Sequence, residues 1–112
     1  MAKLERHLQG DFQSLLLQIE EGIRRGSISA SLEDASNYNV GDTQVAVRVF
    51  ERYSWLGSNR VSLSVTLVGK GRDLFLSAIT SGGSQAVFFK INTFGEEAFL
   101  NRLRDVVDGY VD

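Results

Sequence analysis

Between Asp11 and Arg25 the apolar residues Phe12, Leu15, Leu16, Ile19 and Ile23 fall at the i, i+3, i+4, i+7 and i+11 spacing of a single helical stripe. Asp11 is placed to cap that helix, Arg24 and Arg25 suit the negative end of its dipole, and Gly26 suits a left-handed C′ position. The period then drops to two. Ile28, Ala30 and Leu32 alternate with Ser27, Ser29 and Ser31, which predicts a strand with a small polar face. Asn37 to Asp42 reads as a turn, because asparagine, glycine and aspartate tolerate positive φ. Val45, Val47 and Val49 alternate with Gln44, Ala46 and Arg48, in a strand that runs on toward Tyr53. Val61, Leu63, Val65 and Leu67 alternate with Ser62, Ser64 and Thr66, the clearest strand of the chain. Gly69 to Asp73 reads as a hairpin loop. Two further strands are predicted over Leu74–Thr80 and Gln85–Ile91, joined by Ser81-Gly82-Gly83-Ser84. Thr93 with Glu96 makes a capping box for a last helix whose stripe is Phe99, Leu103, Val106, Val107 and Tyr110.

The predicted order is α-β-β-β-β-β-α in a single domain over residues 1–112. Connections this short leave no room for crossover helices, so the sheet should be an antiparallel meander. The expected class is α+β: a two-layer sandwich with a five-stranded meander sheet and the N- and C-terminal helices packed on one face. The sequence does not say which sheet face the helices cover. Reading Val47, Leu63 and Val65 as core, together with Phe99 and Leu103, leaves Ala46, Arg48, Phe50 and Arg52 on the other face. There they would join Ser62, Ser64, Thr66 and Val68. Phe75, Ile79 and Phe88 are also candidates for that face. Two readings of it compete: an ordinary wet face, or a homodimer surface with Phe50, Phe75 and Phe88 in the interface. A meander also brings the loops at 54–60 and 81–84 to one end of the sheet, the end at which the first helix finishes.

Composition narrows the chemistry more than it suggests any. The chain has 112 residues, 43% hydrophobic and 23% charged, as in ordinary globular domains. With no cysteine there is no disulfide, thiolate nucleophile or cysteine-ligated metal, and a single histidine, His7, excludes multi-histidine metal sites. A net charge of −2 argues against a nucleic-acid partner, and no apolar run is long enough for a membrane helix. The N-terminal residues do not read as a signal peptide, so a cytoplasmic location is expected.

The motifs are weak as catalysts. Gly82-Gly83-Ser84-Gln85-Ala86 superficially resembles a nucleophile elbow, yet an elbow needs a helix after it, and here a strand is predicted. No phosphate-binding glycine pattern opens a helix. Glycine-rich turns can bind anions through successive N–H groups, and Arg60 could supply charge, although a solvated surface arginine is the plainer reading. Trp55, beside Asn59 and Arg60, could stack a flat ligand, or simply cap the core. The carboxylate pairs Glu20/Glu21 and Glu96/Glu97 diverge around their helices, and neither forms a catalytic dyad.

Three stretches, Glu51-Arg52-Tyr53, Ser58-Asn59-Arg60-Val61-Ser62-Leu63-Ser64-Val65-Thr66 and Ser81-Gly82-Gly83-Ser84-Gln85-Ala86-Val87-Phe88-Phe89, carry a family resemblance. They resemble a family of small, uncharacterised, mostly Gram-positive bacterial proteins known as a domain of unknown function. That family has an E-K-Y…S-N-R-x-S-L-x-V stretch and an S-x-x-S-Q-x-x-F stretch; here arginine replaces the lysine of the first. The resemblance spans nearly the whole chain. It implies a bacterial cytoplasmic protein and brings no activity, cofactor or catalytic residue.

The expected function is therefore a non-enzymatic binding or interaction module, homo-oligomeric, with no cofactor or metal. Its polar site would lie at the loop end, made of Trp55, Asn59, Arg60, Ser84 and Gln85 with Glu51 and Tyr53, and would take a small polar or anionic ligand. The alternatives are an enzyme acting on a small anionic substrate with residues of that same set, and a carrier holding an apolar ligand between helices and sheet.

Overall fold

The computed structural model describes residues 1–26, 29–54, 59–82 and 89–111, with backbone alone at 54, 59 and 89–96. Along the chain the elements are β1 (Ala2–Gln9), α1 (Phe12–Gly26), β2 (Ser31–Val40), β3 (Thr43–Ser54), β4 (Asn59–Lys70), β5 (Asp73–Gly82) and α2 (Phe89–Asp108).

The first helix forms where its pattern predicts. Asp11 caps it, its Oδ2 accepting a hydrogen bond from the Ser14 N–H at 2.9 Å, and all five stripe residues are buried. Gly26 is its last residue and is not left-handed. The Arg102 side chain from α2 packs where a Cβ would stand, and its Nε donates to the Gly22 carbonyl at 2.9 Å.

The α+β class, the five-stranded antiparallel sheet and the pair of helices on one face are as expected, but the order along the chain is β-α-β-β-β-β-α. Strands β2 to β5 form the meander, and the sheet order is β1-β5-β4-β3-β2, with β1 added antiparallel beside β5. Strand β1 is not predicted by the sequence pattern, because Lys3, Glu5, Arg6, His7 and Gln9 are poor strand formers and only Leu4 is fully buried. What holds this strand is pairing with residues some seventy positions away, Ala2 with Thr80 through to Gln9 with Asp73. The strand predicted over Gln85–Ile91 is corrected where the structure describes it: α2 begins at Phe89, and 85–88 lie outside the described residues. Short apolar runs such as Val87-Phe88-Phe89 fit either period, which explains the misreading. Thr93 accordingly lies inside the helix rather than at its cap.

The β2–β3 turn is also shorter than predicted. Asn37 to Val40 belong to β2, and only Gly41 and Asp42 form the turn. Gly41 and Gly71 have φ near +60° in matching two-residue hairpins, a conformation with no cost for glycine.

The core lies between the helices and one sheet face. Leu63, Val65 and Leu67 of β4 and Leu74, Leu76 and Ala78 of β5 meet Leu15, Ile19 and Ile23 of α1 and Phe99, Leu103 and Val107 of α2. Strand β3 is inverted relative to expectation. Phe50 pairs with Leu63, Arg48 with Val65 and Ala46 with Leu67, so these three lie under the helices and Val45, Val47 and Val49 face away. Both faces of β3 carry apolar residues, so its alternation alone was not decisive; the register with β4 decides it. Among the described residues no helix is long and apolar enough to cross a membrane.

Candidate functional site

The meander does bring the expected loop end together. Strand β3 runs out to Ser54 and β4 starts at Asn59, while the pairing of β4 with β5 ends at Val61 and Gly82 on the same side. On the uncovered face at this end, Arg60 lies across from Tyr53, and Ser62 lies across from both Glu51 and Ser81. The Arg60 Nε donates to Glu51 Oε1 at 2.8 Å, and a second guanidinium nitrogen stands 4.0 Å from Glu33 Oε2. Glu33 sits at the register shift between Leu32 and Asp34 in β2, and its carboxylate accepts a hydrogen bond from Ser31 Oγ. One arginine of β4 therefore links β3 and the bulge of β2. Tyr53, 46% exposed, holds Ser29 instead, its N–H donating to Ser29 Oγ at 3.2 Å.

This cluster has one guanidinium facing two carboxylates, so its electrostatics favour a self-contained ion-pair ladder over an anion receptor. Of the expected site residues, Glu51, Tyr53 and Arg60 come together. The backbone of Asn59 pairs with Ser54, closing the β3–β4 ladder. Trp55, Ser84 and Gln85 lie outside the described residues, as does Phe88 of the expected interface. Phe50, expected at that interface, is fully buried beneath the helices instead. On the covered side of the same end, the Arg52 guanidinium lies 5.1 Å from the centre of the Phe99 ring. Partial burial lowers its pKa below the ordinary arginine value.

The uncovered sheet face carries an apolar row that no local stretch of sequence predicts. The registers line up one row across all five strands: His7 beside Phe75, Phe75 beside Val68, Val68 beside Val45, and Val45 beside Tyr38. The His7 and Phe75 rings stand 4.9 Å apart. The neighbouring rows add Val47 and then Val49 with Ile79, separated by Ser77, Thr66 and Ser64. Tyr38 is 66% exposed, Val40 58% and Ile79 43%; Phe75, Val45, Val47, Val49 and Val68 are half-buried by their neighbours alone. A hollow of about 200 Å³ opens beside Val47 and Val49 against Asp34 and Ser36 of β2. A second, of about 330 Å³, runs between α1 and α2 and is lined by Glu21, Arg25, Arg102 and Asp105. Among the described residues no group of three His, Asp or Glu side chains is placed to hold a metal ion. The signal for the apolar row lies in Val45, Val47 and Val49, whose alternation reads equally well as a core face.

A family model described as a family of unknown function (DUF6054) matches residues 1–111. No curated protein matches the chain. Among solved structures, the crystal structure of TTHA0849 from Thermus thermophilus is 12% identical with 95% of both chains covered, at a TM-score of 0.32, too distant to carry an argument.

Proposed function

The chain belongs to the family of unknown function DUF6054, and we propose that it is a non-enzymatic interaction module that self-associates through the open face of its sheet. The observation carrying this reading is the row from His7 to Tyr38, which crosses the sheet from edge to edge through the apolar Phe75, Val68 and Val45 with no layer over it among the described residues. Contiguous exposed apolar surface of this kind marks a protein contact far more often than scattered single residues do. An enzymatic reading finds less support, since the loop-end cation is matched by carboxylates of its own chain. The carrier reading needs room between the layers, where Phe50, Leu63, Leu67, Ile19 and Phe99 are fully buried against one another. A cytoplasmic, bacterial setting remains part of the proposal, supported by the resemblance in sequence.

The test is light scattering at micromolar concentration and above. The wild-type chain is expected to be at least dimeric. Val68→Lys, which places a charge in the middle of the apolar row, is expected to be monomeric with an unchanged circular dichroism spectrum. A clean wild-type monomer at high concentration removes the proposal.

A further inference from the structure

The open face has an internal symmetry that bears on which dimer it makes. Strand β4 is the middle strand, with β5 and β1 on one side and β3 and β2 on the other. A two-fold axis lying along β4 in the plane between two copies keeps every row level and exchanges the two sides. Phe75 then meets Val45 of the second copy, His7 meets Tyr38, Ile79 meets Val49, and Val68 meets itself. In the row of Lys3, Ile79, Ser64, Val49 and Asp34, the two ends carry opposite charge. The same axis therefore sets Lys3 against Asp34 of the second copy, and by symmetry does so twice. A two-fold axis across the strands does worse. It sets Glu5 against Glu5, faces Val68 with Ser64, and leaves Lys3 near His7 and Asp34 near Tyr38.

Building on the proposed self-association, we propose that the partner is one second copy, packed sheet to sheet about a two-fold axis along β4 and registered by reciprocal Lys3–Asp34 pairs. The aligned packing of two twisted sheets, at about 30°, offsets the edge residues by a few ångströms, within reach of lysine's four-carbon stem. Five strands at ~4.8 Å and five rows at ~6.8 Å give roughly 800 Å² per copy, about what each partner of a stable interface buries. Two cations fall on the axis and face their own copies: Arg60, which is hydrogen-bonded to Glu51, and Lys70, whose register partner in β5 is Asp73.

Lys3 and Asp34 lie on opposite edge strands of one chain, roughly 19 Å apart at ~4.8 Å per strand, so coupling between them reports contact between copies. Both side chains are exposed, and charge reversal there leaves the core untouched. At low salt, Lys3→Glu and Asp34→Lys are each expected to raise the dimer dissociation constant by roughly 5–10-fold in sedimentation equilibrium. The double reversal is expected to return it to within about twofold of wild type, as two restored pairs require. A wild-type monomer overturns the self-association itself. A wild-type dimer in which the double reversal adds the two losses overturns this axis alone. A second measurement does not depend on charge. The chain has no cysteine, so Ser64→Cys, on the axis, is expected to be joined to its own copy by a short bismaleimide, and Val47→Cys, off the axis, is not. The reverse pattern also overturns the axis.

Discussion

Arg48 is a cation held inside the protein, 7% exposed on the helix-covered face of β3. Its Nε donates to Glu20 Oε2 of α1 at 2.6 Å, and its terminal nitrogens donate to the Ser36 and Val47 carbonyls and to Asn37 Oδ1. A buried guanidinium is tolerable because four of its five N–H donors meet acceptors. Arg48→Ala strands the two carbonyls and one carboxylate, and is expected to cost about 2–4 kcal/mol in urea unfolding. Arg60 is the contrast, 56% exposed at its ion pair with Glu51. Arg60→Ala is expected to cost less than about 1 kcal/mol, because water screens and replaces such pairs. If the two substitutions cost the same, the burial assigned to Arg48 is wrong. The sequence showed both arginines but not which one is buried; Arg48 stands in an alternation with valines that looked like the better core face.

At the scale of elements, the contact of α1 with α2 depends on small residues. A Cβ on Gly22 would collide with the Cγ2 of Val106. Alanine in a helix interior is worth about 1 kcal/mol over glycine, while forcing an extra methyl into a packed contact costs about 1–3 kcal/mol. Val106 is β-branched and stiff at χ1, so it cannot turn aside cheaply. Gly22→Ala is therefore expected to lower the urea midpoint despite its better propensity, and Val106→Ala in the same chain should recover most of the loss. The strand faces are tested in the same way. Leu63→Ala is expected to cost ~2–5 kcal/mol through lost burial and a residual cavity, and Val47→Ala, on the open face, clearly less. The stripe of α1 and the strands around Val45, Leu63 and Leu76 were legible because each follows one period for several residues. The boundary of α2 was not, since its first turn is a run that fits both periods.

At the scale of the molecule, the sheet outgrows its helical layer. Every residue of β2 from Glu33 to Val40 is exposed, on both faces, and the chain spans 47 Å in its longest direction. The bulge at Leu32 and Asp34 interrupts the regularity of that edge, as natural sheets do to discourage edge pairing. Hydrogen exchange is expected to be slowest in β4, paired on both sides, and fast at alternate amides of β2, which have no neighbour on the outer edge among the described residues. Uniform protection in β2 would mean that this edge, rather than the open face, is where copies meet.

By itself the sequence determined the α+β class, the capped stripe of α1, the hairpin turns at Gly41 and Gly71, and the loop end where Glu51 and Arg60 meet. These follow from local periodicity, from glycine's access to positive φ, and from the geometry of short antiparallel connections. Tertiary structure alone decided the rest. It placed β1 on the edge through pairs with β5, and turned β3 so that Phe50 lies beneath the helices and its valines lie open. A strand's two faces differ only by what they meet across the sheet, and a strand of charged residues is held by partners distant in the chain. Neither fact is written in any local stretch, and the row that crosses five strands exists only once the registers are set.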